Sequence, residues 1–261
     1  MRWWCAAQGA AWSWQWQAYP GVWLFVGALA GSYWLAAARP WYDAGPRWLL
    51  RKASFGLGVL TLWIALDWPV GALGSGYLAW VHMVQFLLIA LVAPPLLLTG
   101  LPARVRLPVR PGVGLAVFHT VVVATHWPAI VDGMMATQTG SFAFDIVWLA
   151  AGLAFWAPLV RPARPMHFGM QAVYLLASTV LLTLPYIFLT FAELPFYATY
   201  ELAPPVGPLS SAEDQRMAGL LMRIGGGIVL WTATGVCFWR WYQTDRDGPA
   251  GGKKPLFSTS R

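Results

Sequence analysis

Residues His82 to Pro102 read HMVQFLLIALVAPPLLLTGLP. An imidazole, a thioether and an amide open the stretch within one turn, an unbroken apolar run follows, and Pro94-Pro95 and Gly100-Leu101-Pro102 close it. This is the pattern of a membrane helix with a polar head. On a helix His82, Gln85 and Phe86 share a face, whereas Met83 points about 100° away. Pro95 lacks the N–H that its turn needs and disfavours helix at Pro94, so a bend or stop is expected there. The rise from His82 to Ala93 is about 17 Å, which sets the polar head near one membrane surface and the prolines towards the other.

Composition extends the reading to the whole chain. Of 261 residues 58% are hydrophobic and 10% charged, and the mean hydropathy is +0.56. A soluble domain of this size carries far more charge, so the chain is expected to be an all-α, polytopic membrane protein. Apolar spans fall at roughly 21–38, 53–71, 77–99, 112–131, 141–160, 167–190 and 217–241, about seven helices. Three segments are expected: an interfacial, Trp-rich stretch over 1–20, the seven-helix domain over 21–244, and a disordered tail over 245–261.

Basic residues orient the spans, because joints rich in Lys and Arg stay in the cytoplasm. Arg39, Arg47, Arg51 and Lys52 follow the first span, Arg104, Arg106 and Arg110 the third, and Arg161 and Arg164 the fifth. The C-terminal tail adds Arg240, Arg246, Lys253, Lys254 and Arg261. The alternate joints carry Asp67, then Asp132, then Glu193, Glu201, Glu213 and Asp214. The expected topology is a multi-pass protein of the plasma (cell inner) membrane, N-terminus outside and C-terminus cytoplasmic. The net charge of +7 is divided among short joints, so its partner is anionic membrane lipid and not nucleic acid. Trp3, Trp4, Trp12, Trp14 and Trp16 read as an outer interfacial belt. Cys5 and Cys237 fall on opposite sides and form no pair within the chain.

On this topology the unusual side chains gather at the outer end: His82 and Met83, His126, Met134 and Met135, Asp145, and Asp214, Gln215, Met217 and Met222. His119 and His126 are seven apart, on one face of a helix and about 10 Å from each other. Gln215, Gly219 and Met222 also share a face, where the glycine admits a close neighbour. Imidazoles and thioethers without a thiolate suit Cu(I) better than zinc or a hard cation. Each residue also has a plainer reading. His82 and His126 can bond water or loop carbonyls at the interface, His119 can bridge helices, Asp145 and Asp214 can serve helix N-termini, and the methionines can pack.

Four blocks now point to a family. HMVQFLLIALVAPPLLLTGLP resembles HMxQHLLL followed by APPLLLLGxP, THWPAIVDGMM resembles WHxPxxYDAAL, FDIVWLAAGLAFWAPLV resembles EHxxFLxxGxxFWWPL, and DQRMAGLLMRIGGGIV resembles DQxxGGxxMWxPGG. Together they resemble the multi-spanning CtaG family of cytochrome c oxidase assembly proteins, in register over roughly 47–240. The resemblance implies a membrane assembly factor for a haem-copper oxidase that binds or passes copper at the outer face. His82, Met83, Gln85, His126, Asp214, Gln215 and Met222 sit at matching positions, and His119 corresponds loosely.

Two departures stand out: Phe86 replaces the second histidine of the third-span motif, and Phe144-Asp145 replaces Glu-His. The expected metal set is therefore His82, Met83, His126, Met222, Asp145 and His119, with Gln85, Asp214 and Gln215 beside it. Expected partners are oxidase subunits and an outer-face copper chaperone. The alternatives are a docking subunit that has lost copper, and a transporter, for which the inner half lacks matching ligands and no internal repeat is visible. Enzyme catalysis is not expected, since no nucleophile has a base beside it and no phosphate loop is present.

Overall fold

The computed structural model describes residues 2–38 and 47–247. Arg39, Lys253, Lys254, Arg261 and the tail beyond Asp247 lie outside the described residues. Those described form an all-helical bundle: α1 (Pro20–Ala37), α2 (Trp48–Leu66), α3 (Val70–Gly76), α4 (Ala79–Phe86), α5 (Ala93–Gly100), α6 (Pro111–Thr125), α7 (Pro128–Met135), α8 (Gln138–Val160), α9 (Phe168–Leu181), α10 (Thr183–Phe191), α11 (Ala198–Glu201) and α12 (Ser211–Asp247). Six continuous helical stretches are long and apolar enough to cross a membrane, and the bent pair α6–α7 makes up to seven.

Reversals between spans set two unlike ends. At one, the N-terminal segment meets the α2–α4, α7–α8 and α10–α12 joints: Ala7 N–H donates to the Met135 carbonyl and the Tyr77 hydroxyl to that of Ala10. At the other, Leu107 pairs with the Arg161–Ala163 backbone and the Tyr33 hydroxyl donates to the Gly100 carbonyl. They are called here the capped and the basic end.

The third span is the hub. Two thirds of its length is buried, and it touches α2, α8 and α12. The helix does not stop at Pro94-Pro95. A π-helical segment, Leu87–Val92, separates α4 from α5 and the helix runs on to Gly100. The wider turn lets both prolines start a new α-helical stretch, where a missing N–H costs little. Gly152 of α8 lies against the Ala90 carbonyl of this segment and the Pro94 ring, leaving no room for a side chain.

Other boundaries also move. The second span lies earlier than expected, ending at Leu66 with Asp67 as C-cap, and α3 forms a separate piece buried from Gly71 to Gly76. The fourth span is not one helix: it breaks at His126-Trp127-Pro128, and α7 leaves α6 at 76°. Pro128 accounts for the break, as it disfavours helix at Trp127 and cannot donate. The sixth span divides at Leu182. The last begins at a capping box, in which Glu213 accepts from the Ser210 N–H and hydroxyl while Ser210 Oγ accepts from the Glu213 N–H, and it continues to Asp247, past the expected start of the tail.

Trp4 is a further correction. It is no belt residue but one of the most buried side chains in the protein, at 1% exposure. Trp14 and Trp16 remain exposed. At the basic end, buried Arg161 closes the third span: Nε donates to the Leu98 carbonyl (2.7 Å) and Nη2 to those of Thr99 (2.7 Å) and Leu101. These are carbonyls that a helix C-terminus leaves unpaired. Arg161→Met is expected to cost about 2–3 kcal/mol, through lost charge-assisted bonds and orphaned carbonyls, read as a lower thermal midpoint of the detergent-solubilised protein.

Candidate functional site

The site is built where α4, α6, α8 and the α10–α12 joint converge at the capped end. Asp214, the fourth residue of α12, does not cap its own helix. Its carboxylate accepts from the N–H groups of Ala79 (2.7 Å) and Trp80 (3.0 Å), so it holds the first turn of α4. His82 lies in that helix, 4% exposed, with the rings of Trp148, Phe144 and Tyr200 at 4.8, 5.5 and 5.8 Å between centroids. Neither of its ring nitrogens has a hydrogen-bond partner. The neighbouring Gln85 amide and Gly74 carbonyl have partners of their own: Gln85 Nε2 donates to Ala65 (2.9 Å), and the Gly74 carbonyl accepts from the Tyr200 hydroxyl (2.8 Å).

His126 is the C-cap of α6, at the break before Pro128. Its Nδ1 lies 2.7 Å from the Val122 carbonyl. A carbonyl only accepts, so Nδ1 carries the proton and Nε2 the lone pair. That Nε2 is buried without a partner. The Tyr197 hydroxyl fixes the backbone here by donating to the His126 carbonyl at 3.0 Å. Phe86 joins the two histidine environments, edge-on to His126 at 5.8 Å and to Trp148 at 5.2 Å.

The remaining expected residues have other employment. His119 Nδ1 bonds the Leu115 carbonyl (2.8 Å) and Nε2 the Ser178 hydroxyl (3.1 Å), a bridge from α6 to α9. Asp145 accepts from Trp4 Nε1 at 2.8 Å. Gln215 Oε1 accepts from the Phe196 N–H (2.7 Å) and Nε2 donates to the Leu194 carbonyl, tying down the joint before α12. Met83 and Met222 are buried, and Met222 lines a narrow cleft with Thr179, Leu182 and Gly226. Gly219 meets Thr190 as closely as its place beside Gln215 and Met222 suggests. Among the described residues no three of His, Cys, Asp and Glu converge into a metal site. The structure brings His82 and His126 to one aromatic cluster.

Tyr197, Tyr200 and Trp148 escaped sequence reasoning, which noted only the acidic residues of the α10–α12 joint. Asp132 places both tyrosines, accepting from the Ala198 N–H, the Thr199 N–H and the Thr199 hydroxyl at the start of α11. The signal available was two tyrosines three apart in FYATYEL, with an aspartate in a different joint. Beside His126, an apolar cavity of about 320 Å³ opens between the α6–α7 break and α10, lined by Trp127, Leu184, Phe188 and Phe196.

A buried imidazole without partners costs folding its desolvation, whereas a bridging one contributes its bonds. His82→Phe is therefore expected to hold or raise the thermal midpoint, and His119→Phe to lower it by the equivalent of about 1–2 kcal/mol as the Ser178 hydroxyl loses its partner. Melting the two variants in parallel checks the contrast.

Residues 31–244 match the family model described as cytochrome c oxidase caa3 assembly factor. No curated protein and no solved structure matches the chain.

Proposed function

The chain belongs to the family of cytochrome c oxidase caa3 assembly factors, and from that premise we propose that His82 and His126 hold Cu(I), as cargo, on its way to a haem-copper oxidase. One observation carries the reading: three imidazole nitrogens, Nδ1 and Nε2 of His82 and Nε2 of His126, are buried without hydrogen-bond partners in one aromatic cluster, with Phe86 and Trp148 between the two rings. Orphaned buried polar groups are costly, and the lone pair that each neutral imidazole keeps there fits a ligand. The donor set suits the cuprous ion, since neutral imidazoles in a dry aromatic box favour a soft monovalent ion over a hard divalent one.

In this reading the chain's residues work by placement. Asp214 fixes the turn that carries His82. The Val122 carbonyl holds the proton of His126 on Nδ1 and keeps Nε2 free. Trp148, whose indole N–H donates to Thr125 Oγ1 at 3.0 Å, and Phe86 keep water from both. His119 and Asp145, already bonded elsewhere, stand outside the set. With Phe86 in place of a further imidazole the hold is weak, as transfer requires. The capped end faces outward, because the joints at the opposite end carry Arg47, Arg51, Lys52, Arg104, Arg106, Arg110 and Arg164. Oxidase subunits receive the ion, a copper chaperone at the outer face supplies it, and no catalytic turnover is involved.

A second reading, a docking subunit without copper, is favoured by one fact: both positions that depart from the family pattern are taken up by packing, Phe86 by Trp148 and Asp145 by Trp4. Copper content and Cu(I) affinity of the purified protein under reducing conditions decide between the two. Near-stoichiometric copper is expected, with affinity at least about tenfold weaker in His82→Ala and in His126→Ala. No copper above a mock membrane preparation would establish the docking reading.

A further inference from the structure

The N-terminal segment before α1 lies outside the residues that match the family, yet it is built into the capped end. The Gln138 side-chain oxygen accepts from the N–H groups of Trp3 (2.7 Å) and Trp4 (3.2 Å), Ala7 donates to Met135, and the Trp3 carbonyl accepts from Gly21 (2.9 Å). The segment does not lie flush. Between it and the α7–α8 joint is a crevice of about 400 Å³ whose polar lining comes from Arg2, Gln8, Thr137 and Gln138. Trp4 forms one wall of it.

The other side of that indole faces α8 one residue from a ring that touches His82. Trp4 Nε1 bonds Asp145, and the neighbouring Phe144 lies against the His82 ring at 5.5 Å. Asp145 stands where a membrane helix would normally carry an apolar residue, and such carboxylates are functional candidates. We propose that the polar crevice is the outer entrance to the histidine pair and that Trp4, latched to Asp145, is its gate. The entrance rests on the copper reading; the gate does not. Swinging Trp4 out leaves a carboxylate at the head of the path, which attracts a cation and favours reclosure once the indole N–H can return.

Cys5 reports on the gate directly. It follows Trp4, is 2% exposed and donates its thiol to the Leu66 carbonyl at 3.4 Å. Burial, with the carboxylates of Asp145 and Asp67 nearby, pushes its thiol well above the usual range, so it reacts only when the segment lifts.

In full-length protein carrying Cys237→Ser, labelling of Cys5 by a membrane-impermeant maleimide is expected to be slow. It should quicken at least tenfold in Trp4→Phe, which keeps a ring but loses the N–H, and by less in Asp145→Asn, which keeps an acceptor but loses the charge. If Trp4→Phe lowers the thermal midpoint, Asp145→Asn decides. Equal rates in all three proteins would overturn the gate. Loading with Cu(I), presented as a water-soluble chelate, tests the entrance: Trp4→Phe should shorten the half-time and leave the amount bound unchanged. Faster labelling with an unchanged loading rate would overturn the entrance. Faster labelling with no copper bound by any form would remove the copper reading and the entrance, and leave the gate standing.

Discussion

Inside a bilayer no water is on hand for a stray backbone group, so each helix end must find its partners within the protein. In this bundle that requirement is met by side chains reaching across the fold. Asp214 of the last span closes the start of the third, Arg161 of the fifth closes its finish, and Asp132 starts α11 from a different joint. The third span is thus held at both ends by other helices, and the two histidines inherit their positions from these caps. Against that pairing, both ring nitrogens of His82 and Nε2 of His126 are left bare within one aromatic cluster.

The departures from the family pattern have structural replacements. Phe86 occupies the centre of an aromatic cluster with Phe118, Trp148 and the edge of His126, where an imidazole would need a partner and a phenyl ring does not. Asp145 is matched by a tryptophan from a part of the chain that the family model does not cover. An altered helix and an added segment thus meet at one hydrogen bond, and the N-terminal stretch belongs to the body of the protein.

The class of fold was legible because hydropathy and basic joints are local signals. Six of the seven expected spans correspond to continuous helical stretches, and the blocks around His82, His126 and Asp214 pointed to the convergent end. Contacts between distant residues were not legible. Trp4 and Asp145 are 141 residues apart and Asp214 and Ala79 are 135 apart, so nothing near Trp4 distinguished it from the interfacial tryptophans that follow, and Asp214 resembled a cap of its own helix. Pro94-Pro95 misled for a related reason. Two prolines read as a stop, but the π-helical segment that accommodates them is made of ordinary aliphatic residues and depends on Gly152 of another helix.

That segment also acts as a rotary coupling. A π turn holds one residue more than the α turn it replaces, so everything before it is turned about 100° relative to everything after it. The half of the span anchored by Arg161 and the half bearing His82 therefore present faces that a uniform helix could not present together. Closing the π turn to an α turn without removing a residue would swing the imidazole out of its aromatic box, whereas removing one aliphatic residue between Leu87 and Val92 as well would restore both faces. In this protein the width of one turn in an otherwise featureless apolar run determines which way the third helix looks.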